Sequence, residues 1–448
     1  MAQPTELEAL YAFLVAAAVT ALLTPLTMRF ARRVGAIDEP RERGLSERPT
    51  PLLGGLAIFG GALVAMLIWL PAGYGRESHQ LWHGVLIAAA VITLVGALDD
   101  RFDLHPAVKL VGQVLAAVIV VHFGVAVKAI TLPFVGVLHF PNAGVTNAGP
   151  VLTVIGLVVM MNVVNFSDGV DGLAAGVCAI IAAAMTVIAF DLHRPQPGVL
   201  AALTAGAALG YLLYNFPPAS TFMGDCGANL LGLLMGCITV EAAVKTAAVV
   251  SFVLPLILLA VPFLDTTFVV LKRLKYKQPI YRSDTEHFHH RMARIGFSSR
   301  RTIAYLYAWT LMLAGLALAL RFVPYSDHKG HLHTGWTLVL IALGLLVAAA
   351  SVYLVYVLEI LKFRRLAAIR LRRLRPEASA AEIESDVARD LETGEFRAVS
   401  AAEGRRVPVD DGSLGAQQRV GERQVDEDRV GAEQERGGAQ APIAADRG

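Results

Sequence analysis

Apolar stretches of membrane-crossing length recur along this chain, separated by short polar connections, and the last of them ends near residue 361. A helix needs roughly 20 apolar residues to cross a bilayer core, and about eleven runs qualify: 8–28, 52–71, 81–98, 106–126, 150–166, 172–190, 197–215, 227–243, 247–271, 301–321 and 335–361. Gly206 with Gly210, and Gly232 with Gly236, stand four apart, a spacing that lets helix backbones approach closely. The pattern predicts an all-α polytopic integral membrane protein. One connection, 124–149, holds short β-prone runs broken by proline and glycine and predicts a small extracellular β-hairpin.

Composition sharpens this. The chain is 55% hydrophobic and 17% charged, against roughly half apolar and a quarter charged in soluble domains, which excludes a soluble enzyme and a fibrous repeat. Cys178, Cys226 and Cys237 lie in or beside apolar runs without metal-ligand spacing, which excludes a disulfide scaffold and makes them small core residues. The net charge of +2 hides two unlike parts. Residues 376–448 carry 17 acidic and nine basic residues, leaving 30 basic against 20 acidic in 1–375. The chain therefore divides into a membrane domain, 1–375, and an acidic, disordered tail, 376–448, apart from a short helical stretch near 379–392. The opening MAQPTELEAL has no positive n-region and no cleavage site follows, so no removable signal peptide is read.

Cytoplasmic connections retain lysine and arginine. The connection after the first run holds Arg29, Arg32, Arg33, Arg41, Arg43 and Arg48, and the one after the ninth runs from Lys272 through Arg301 with nine basic residues. Even-numbered connections offer only scattered cations, such as Arg76, Lys128 and Arg194. An odd number of spans puts the N-terminus outside and the tail inside. Every dense polar motif then falls on the cytoplasmic face, after the first, third, fifth, seventh and ninth spans.

Those motifs supply a coherent chemistry. After the third span come Asp99 and Asp100, with Lys109 and Gln113 on the next helix; paired carboxylates at a membrane boundary bind a cation, organise charge around a phosphate or move protons. The bland alternative is a solvated helix end. The fifth span ends in Asn162, Asn165, Asp168 and Asp171, interrupted by Gly169 and Gly172, more polar groups than a simple turn needs. After the seventh span Asn215 precedes Gly224-Asp225-Cys226-Gly227, where a carboxylate can hold magnesium and free N–H groups can meet phosphate, or where Asp225 merely caps a helix. After the ninth, Ser283-Asp284-Thr285-Glu286-His287-Phe288-His289-His290-Arg291-Met292 sits among cations. That positive field favours phosphate over zinc, and the run lacks the glutamate of H-E-x-x-H. The first loop, Arg48-Pro49-Thr50-Pro51 to Gly54-Gly55, is basic with a tight turn and reads equally as topology alone. The inventory suits a magnesium-bound nucleotide diphosphate reacting with a lipid-held acceptor.

In order, LDDRFDLHPAVKLVGQ, NVVNFSDGVDGLAAG, NFPPASTFMGDCGANLLG, PFLDT and DTEHFHHRM resemble the polyprenyl-phosphate N-acetylhexosamine-1-phosphate transferases (glycosyltransferase family 4) over roughly 38–295. The HFHHRM loop is similar to the branch using UDP-N-acetylglucosamine with undecaprenyl or decaprenyl phosphate, ahead of the phospho-N-acetylmuramoyl-pentapeptide branch. The resemblance implies a plasma-membrane enzyme of cell-wall or surface polysaccharide synthesis with its site facing the cytoplasm. It implies magnesium, with manganese as substitute, held by Asp225 and Asn165. It implies catalytic roles for Asp99, Asp100, His289 and His290, and substrate binding by Asn162, Asp168, Asp171, Asn215, His287, Arg291 and Lys109. It further implies a homodimer; no nucleic-acid partner is expected. Ser46 stands where the family's first loop carries histidine, and Cys226 and Ala228 depart from its G-D-x-G-S stretch. A lipid phosphomonoester, with a second pKa of about 6, is already ionised near neutral pH, so the acidic pair is expected to position and organise charge more than to act as base. The rival class is a secondary transporter, which instead places its acids at the bilayer midplane in two repeated halves.

Overall fold

The computed structural model describes residues 4–38, 49–70, 76–132, 136–140, 148–244, 299–324 and 333–359, with single positions 379, 382 and 385. Among them are ten α-helices: α1 Glu6–Val34, α2 Gly54–Trp69, α3 Arg76–Phe102, α4 Pro106–His122, α5 Ala148–Ser167, α6 Leu173–Asp191, α7 Pro195–Asn215, α8 Gly224–Ile238, α9 Ser299–Phe322 and α10 Thr334–Glu359. They correspond to ten of the eleven apolar runs. The ninth run, 247–271, lies outside the described residues, as do first-loop residues 39–48, the histidine loop and nearly all of the tail. Among the described residues eight helices are long and apolar enough to cross a membrane, while α2 and α4 are shorter, at 16 and 17 residues. The chain is a polytopic membrane protein.

Several helices outrun their apolar cores. α1 begins with a capping box, in which the Glu8 N–H donates to Thr5 Oγ1 and the Thr5 N–H to Glu8 Oε2 at 2.7 Å. It continues through Arg29, Arg32 and Arg33 until Gly35, at φ 73°, ends it. α3 likewise carries Asp99 and Asp100 inside its last turn. The hairpin expected in 124–149 is present as β3 (Ala129–Leu132) and β4 (Gly136–His139), which pair antiparallel with Ala129 opposite His139. The earlier pair, β1 (Ile37–Asp38) and β2 (Thr50–Pro51), closes the first loop. Two residues per strand are too few to show a period, so it was invisible in the pattern.

Lipid offers no hydrophobic drive between helices, so close packing and hydrogen bonds must hold a bundle together. α1 packs on α7 and α2, α6 on α7, α3 and α5 on α8, and α9 on α6. The glycine pairs act as expected: a Cβ at Gly206 would lie 2.1 Å from the Phe13 carbonyl oxygen, one at Gly210 2.2 Å from that of Ala17, and one at Gly232 2.5 Å from Met161 Cα. α8 is the central element, with 89% of its span buried against 11% for α10. All three cysteines are buried and free.

Candidate active site

The N-terminus of α8 is the hub. A helix start leaves N–H groups without intrahelical partners, and here two of them are taken by a carboxylate from another helix. Asp100 Oδ1 accepts the Asp225 N–H at 2.6 Å, and Asp100 Oδ2 accepts the Cys226 N–H at 3.2 Å. Gly224, at φ 67°, makes room: a Cβ there would sit 2.4 Å from Asp100 Oδ2. Gly96 lets α3 come this close, since a Cβ on it would lie 2.4 Å from Cys226 Cα.

Asp225 itself is held on several sides. Its Oδ1 accepts from Asn165 Nδ2 at 2.7 Å, and its backbone carbonyl accepts from Asn229 Nδ2 at 2.8 Å. Its Oδ2 is shut off from solvent, accepts no hydrogen bond, and pairs with the Lys109 ammonium. Lys109 also reaches Asp99 Oδ2 at 3.4 Å, while Asp99 Oδ1 accepts the Leu104 N–H at 3.0 Å and ties down the turn between α3 and α4. One ammonium thus sits between two carboxylates from different helices.

The first loop is built into this end of the bundle. The Pro51 carbonyl accepts the Phe222 N–H at 3.0 Å and Thr221 Oγ1–H at 2.8 Å. In return, the first N–H groups of α2, from Gly54 and Gly55, donate to the Phe222 and Met223 carbonyls at 3.0 and 2.9 Å. A Cβ on Gly55 would lie 2.1 Å from Gly227 N, so the starts of α2 and α8 touch backbone to backbone. The end of the loop therefore braces the segment that leads into Asp225.

The D-G-V-D-G turn between α5 and α6 is locked to the same segment. Asn215, buried, accepts the Gly172 N–H on Oδ1 at 2.8 Å and donates to the Thr221 carbonyl at 2.9 Å. Asp171 Oδ2 accepts the Ala219 N–H at 2.9 Å. Gly172, at φ 76°, starts α6, and its carbonyl accepts the Tyr307 hydroxyl of α9 at 2.5 Å. Asp168 keeps part of its surface open, yet burial pushes its carboxyl well above the usual carboxylate range, and the like charges of Asp100 and Asp171 push the same way.

Of the residues singled out in the sequence, Asp99, Asp100, Lys109, Asn165 and Asp225 form one bonded cluster; Asp171 and Asn215 tie the adjoining turn to the segment before α8, and Asp168 lies close enough to Asp100 and Asp171 to feel both charges. Asn162 is joined to the cluster through Gln113 and Asn229. His287, His289, His290 and Arg291 lie outside the described residues. Gln113, placed beside Lys109 by the sequence but given no role there, belongs to this site, as do Asn229, Tyr211 and Thr221, which the sequence does not mark as site residues. For Gln113 and Asn229 a signal existed, because each is an amide embedded in an apolar run. Tyr211, whose hydroxyl donates to the Thr221 carbonyl at 2.9 Å, looked like any aromatic core residue.

The profile of Glycosyl transferase family 4 matches residues 82–243. A probable undecaprenyl-phosphate N-acetylglucosaminyl 1-phosphate transferase of Bacillus subtilis (strain 168) is 32% identical over 316 residues, covering 69% of this chain and 84% of that protein. The decaprenyl-phosphate N-acetylglucosaminephosphotransferase of Mycobacterium leprae is 34% identical over 337 residues, 69% and 83% of the two chains. The phospho-N-acetylmuramoyl-pentapeptide-transferase of Mycobacterium bovis is 31% identical over 358 residues, 70% and 96%.

This chain belongs to glycosyl transferase family 4. As a membrane-embedded family 4 transferase it is not a secondary transporter, and its matched region holds the described site residues from Asp99 to Asn229. Whether such an enzyme can hold magnesium here rests on its donors. Among the described residues no three His, Cys, Asp or Glu side chains converge as an all-protein cage. Magnesium does not need one, since it keeps several waters and takes one or two carboxylates plus substrate phosphate. Asp225 Oδ2, a buried hard oxygen without a hydrogen bond and already facing a cation, fits that requirement.

Proposed function

We propose that this protein transfers N-acetylglucosamine 1-phosphate from UDP-N-acetylglucosamine to a polyprenyl phosphate, undecaprenyl or decaprenyl, releasing UMP as the first lipid-linked step of cell-wall or surface polysaccharide synthesis. The observation that carries this reading is the Asp99–Lys109–Asp225 cluster at one end of a membrane bundle, in a chain whose relatives bear those activities in their names. The basic loops support an N-terminus outside and a site facing the cytoplasm across the plasma membrane, with eleven spans in all.

In the proposed reaction a phosphate oxygen of the lipid bonds to the β-phosphorus of the nucleotide sugar as the bond from that phosphorus to the bridging oxygen breaks, and UMP departs. Asp225 and the amide oxygen of Asn165 would hold magnesium, or manganese in its place, which when bound neutralises charge on the diphosphate oxygens. Lys109 contributes a fixed positive charge beside that position. Asp100 orders the helix start that carries Asp225, Asp99 holds Lys109, and Asp168, Asp171 and Asn215 shape the adjoining loop toward the nucleotide. The tail beyond Arg375 takes no part, so truncation there should leave turnover intact in purified protein.

Release of UMP from UDP-N-acetylglucosamine by purified protein in lipid nanodiscs, with polyprenyl phosphate and magnesium, tests the reading, with Asp225→Ala as control. Absence of UMP from the wild type rejects it. The pentapeptide branch is distinguished in the same assay by offering UDP-N-acetylmuramoyl-pentapeptide, which should not turn over.

A further inference from the structure

Three amides run through the interior of the bundle as a directed chain. Asn162 of α5 donates from Nδ2 to Gln113 Oε1 of α4 at 2.8 Å. Gln113 donates from Nε2 to Asn229 Oδ1 of α8 at 2.7 Å, and Asn229 donates from Nδ2 to the Asp225 carbonyl at 2.8 Å. Gln113 and Asn229 are each 1% exposed. The final acceptor, a backbone carbonyl, can only accept, so it fixes the orientation of Asn229, which fixes Gln113; at the outer end Asn162 is anchored also by its own helix, its Nδ2 donating to the Val158 carbonyl at 2.8 Å.

Such a chain is expensive to keep. Each buried amide loses its water and is tolerated only when paired, whereas leucine or methionine would fill the same space at no such cost. What distinguishes this chain is where it ends. Asp225 has its N–H bound by Asp100 of α3, its carbonyl by Asn229 at the end of the relay, and its Oδ1 by Asn165 of α5. Its N–H is held from α3 and its Oδ1 from α5, while its carbonyl is held from one turn further along α8 by Asn229, which the relay ties to α4 and α5; Oδ2, which faces the Lys109 ammonium, is the carboxylate atom without a hydrogen bond.

We propose that Gln113 and Asn229 are positioning residues that set the location of the Asp225 carboxylate for a divalent cation, with Asn162 as the outer anchor of the relay. This rests on the reading of Asp225 as a cation ligand. Groups that orient a metal ligand from behind typically change affinity about tenfold to a hundredfold when removed, and a relay adds a signature: the effect shrinks with distance along it.

The test is titration of full-length protein in nanodiscs with Mn2+ alone, following the free Mn2+ signal by electron paramagnetic resonance, alongside thermal unfolding. Asn229→Leu and Gln113→Met should each weaken Mn2+ binding about tenfold or more, Asn229→Leu the more strongly, and Asn162→Ala should shift it less in the same direction. The magnesium concentration for half-maximal UMP release should rise in the same order. A folded Asn229 or Gln113 variant with wild-type Mn2+ affinity overturns the proposal. If those two variants fail to fold, Asn162→Ala, at the partly exposed end, decides it: unchanged affinity there overturns the relay. A wild type that takes up no Mn2+ rejects instead the cation role of Asp225.

Discussion

Asp100 on α3 caps the helix that Asp225 opens, its two carboxylate oxygens accepting the N–H groups of Asp225 and Cys226 at 2.6 and 3.2 Å. Two adjacent aspartates thus have different work, because Asp99 faces the Lys109 ammonium and Asp100 faces backbone. A negative charge at a helix N-terminus is favoured by the helix dipole as well as by the bonds themselves. Asp100→Ala is expected to lower stability by about 1–2 kcal/mol, the scale of a lost cap, and to reduce turnover by about a hundredfold through displacement of Asp225. In Asp100→Asn the residual turnover should keep the wild-type pH profile. Disappearance of its acid limb would show that Asp100 is a base.

Lys109 stands between Asp99 and Asp225 where a divalent cation would also be drawn. Unit charges about 4 Å apart interact by about 4 kcal/mol at an effective dielectric constant near 20, so the ammonium competes with the metal for Asp225 Oδ2 while shielding two carboxylates from each other. Lys109→Met should therefore tighten Mn2+ binding, on the order of tenfold, and still lower UMP release, since the charge beside the diphosphate is gone. Weaker Mn2+ binding in this variant would mean that the lysine organises the metal position and does not compete for it.

Gly224 is required for two independent reasons, its φ of 67° and the Asp100 carboxylate 2.4 Å from where a Cβ would be. Left-handed backbone costs an L-residue roughly 1–2 kcal/mol before any clash. Gly224→Ala is expected to abolish turnover and lower the unfolding temperature. Gly156→Ala, on α5 with nothing within 4 Å of its would-be Cβ, should do neither.

The spans and the acidic motifs were legible because they are local: length and hydropathy show a membrane helix, and clustered aspartates, asparagines and glycines stand out at its ends. Legibility failed where a role depends on the partner. Nothing in L-D-D-R tells Asp99 from Asp100, since the difference is made by Leu104 and Lys109 on one side and the start of α8, more than a hundred residues on, on the other. The first loop reads equally as topology alone because its contacts are made of main chain, the Pro51 carbonyl and the Gly54 and Gly55 N–H groups, which any sequence possesses. Gln113 and Asn229 were readable in principle as amides in apolar runs, but their common target, the Asp225 carbonyl, is not.

Asp168 links the site to pH. Burial, reinforced by the like charges of Asp100 and Asp171, raises its carboxyl well above the ordinary value of 3.8. In the unfolded chain the same group ionises near pH 4. Between those two points the folded protein binds the proton and the unfolded chain does not, so stability falls as pH rises through that window. Below pH 4 both states are protonated and the term vanishes. Asp168→Asn keeps the shape and stays neutral, so its unfolding temperature should decline less than that of the wild type from about pH 5 to about pH 8. The comparison is made on metal-free protein in nanodiscs, because a bound cation would itself favour ionisation. Parallel declines in the two proteins would show that Asp168 is already ionised in the folded state.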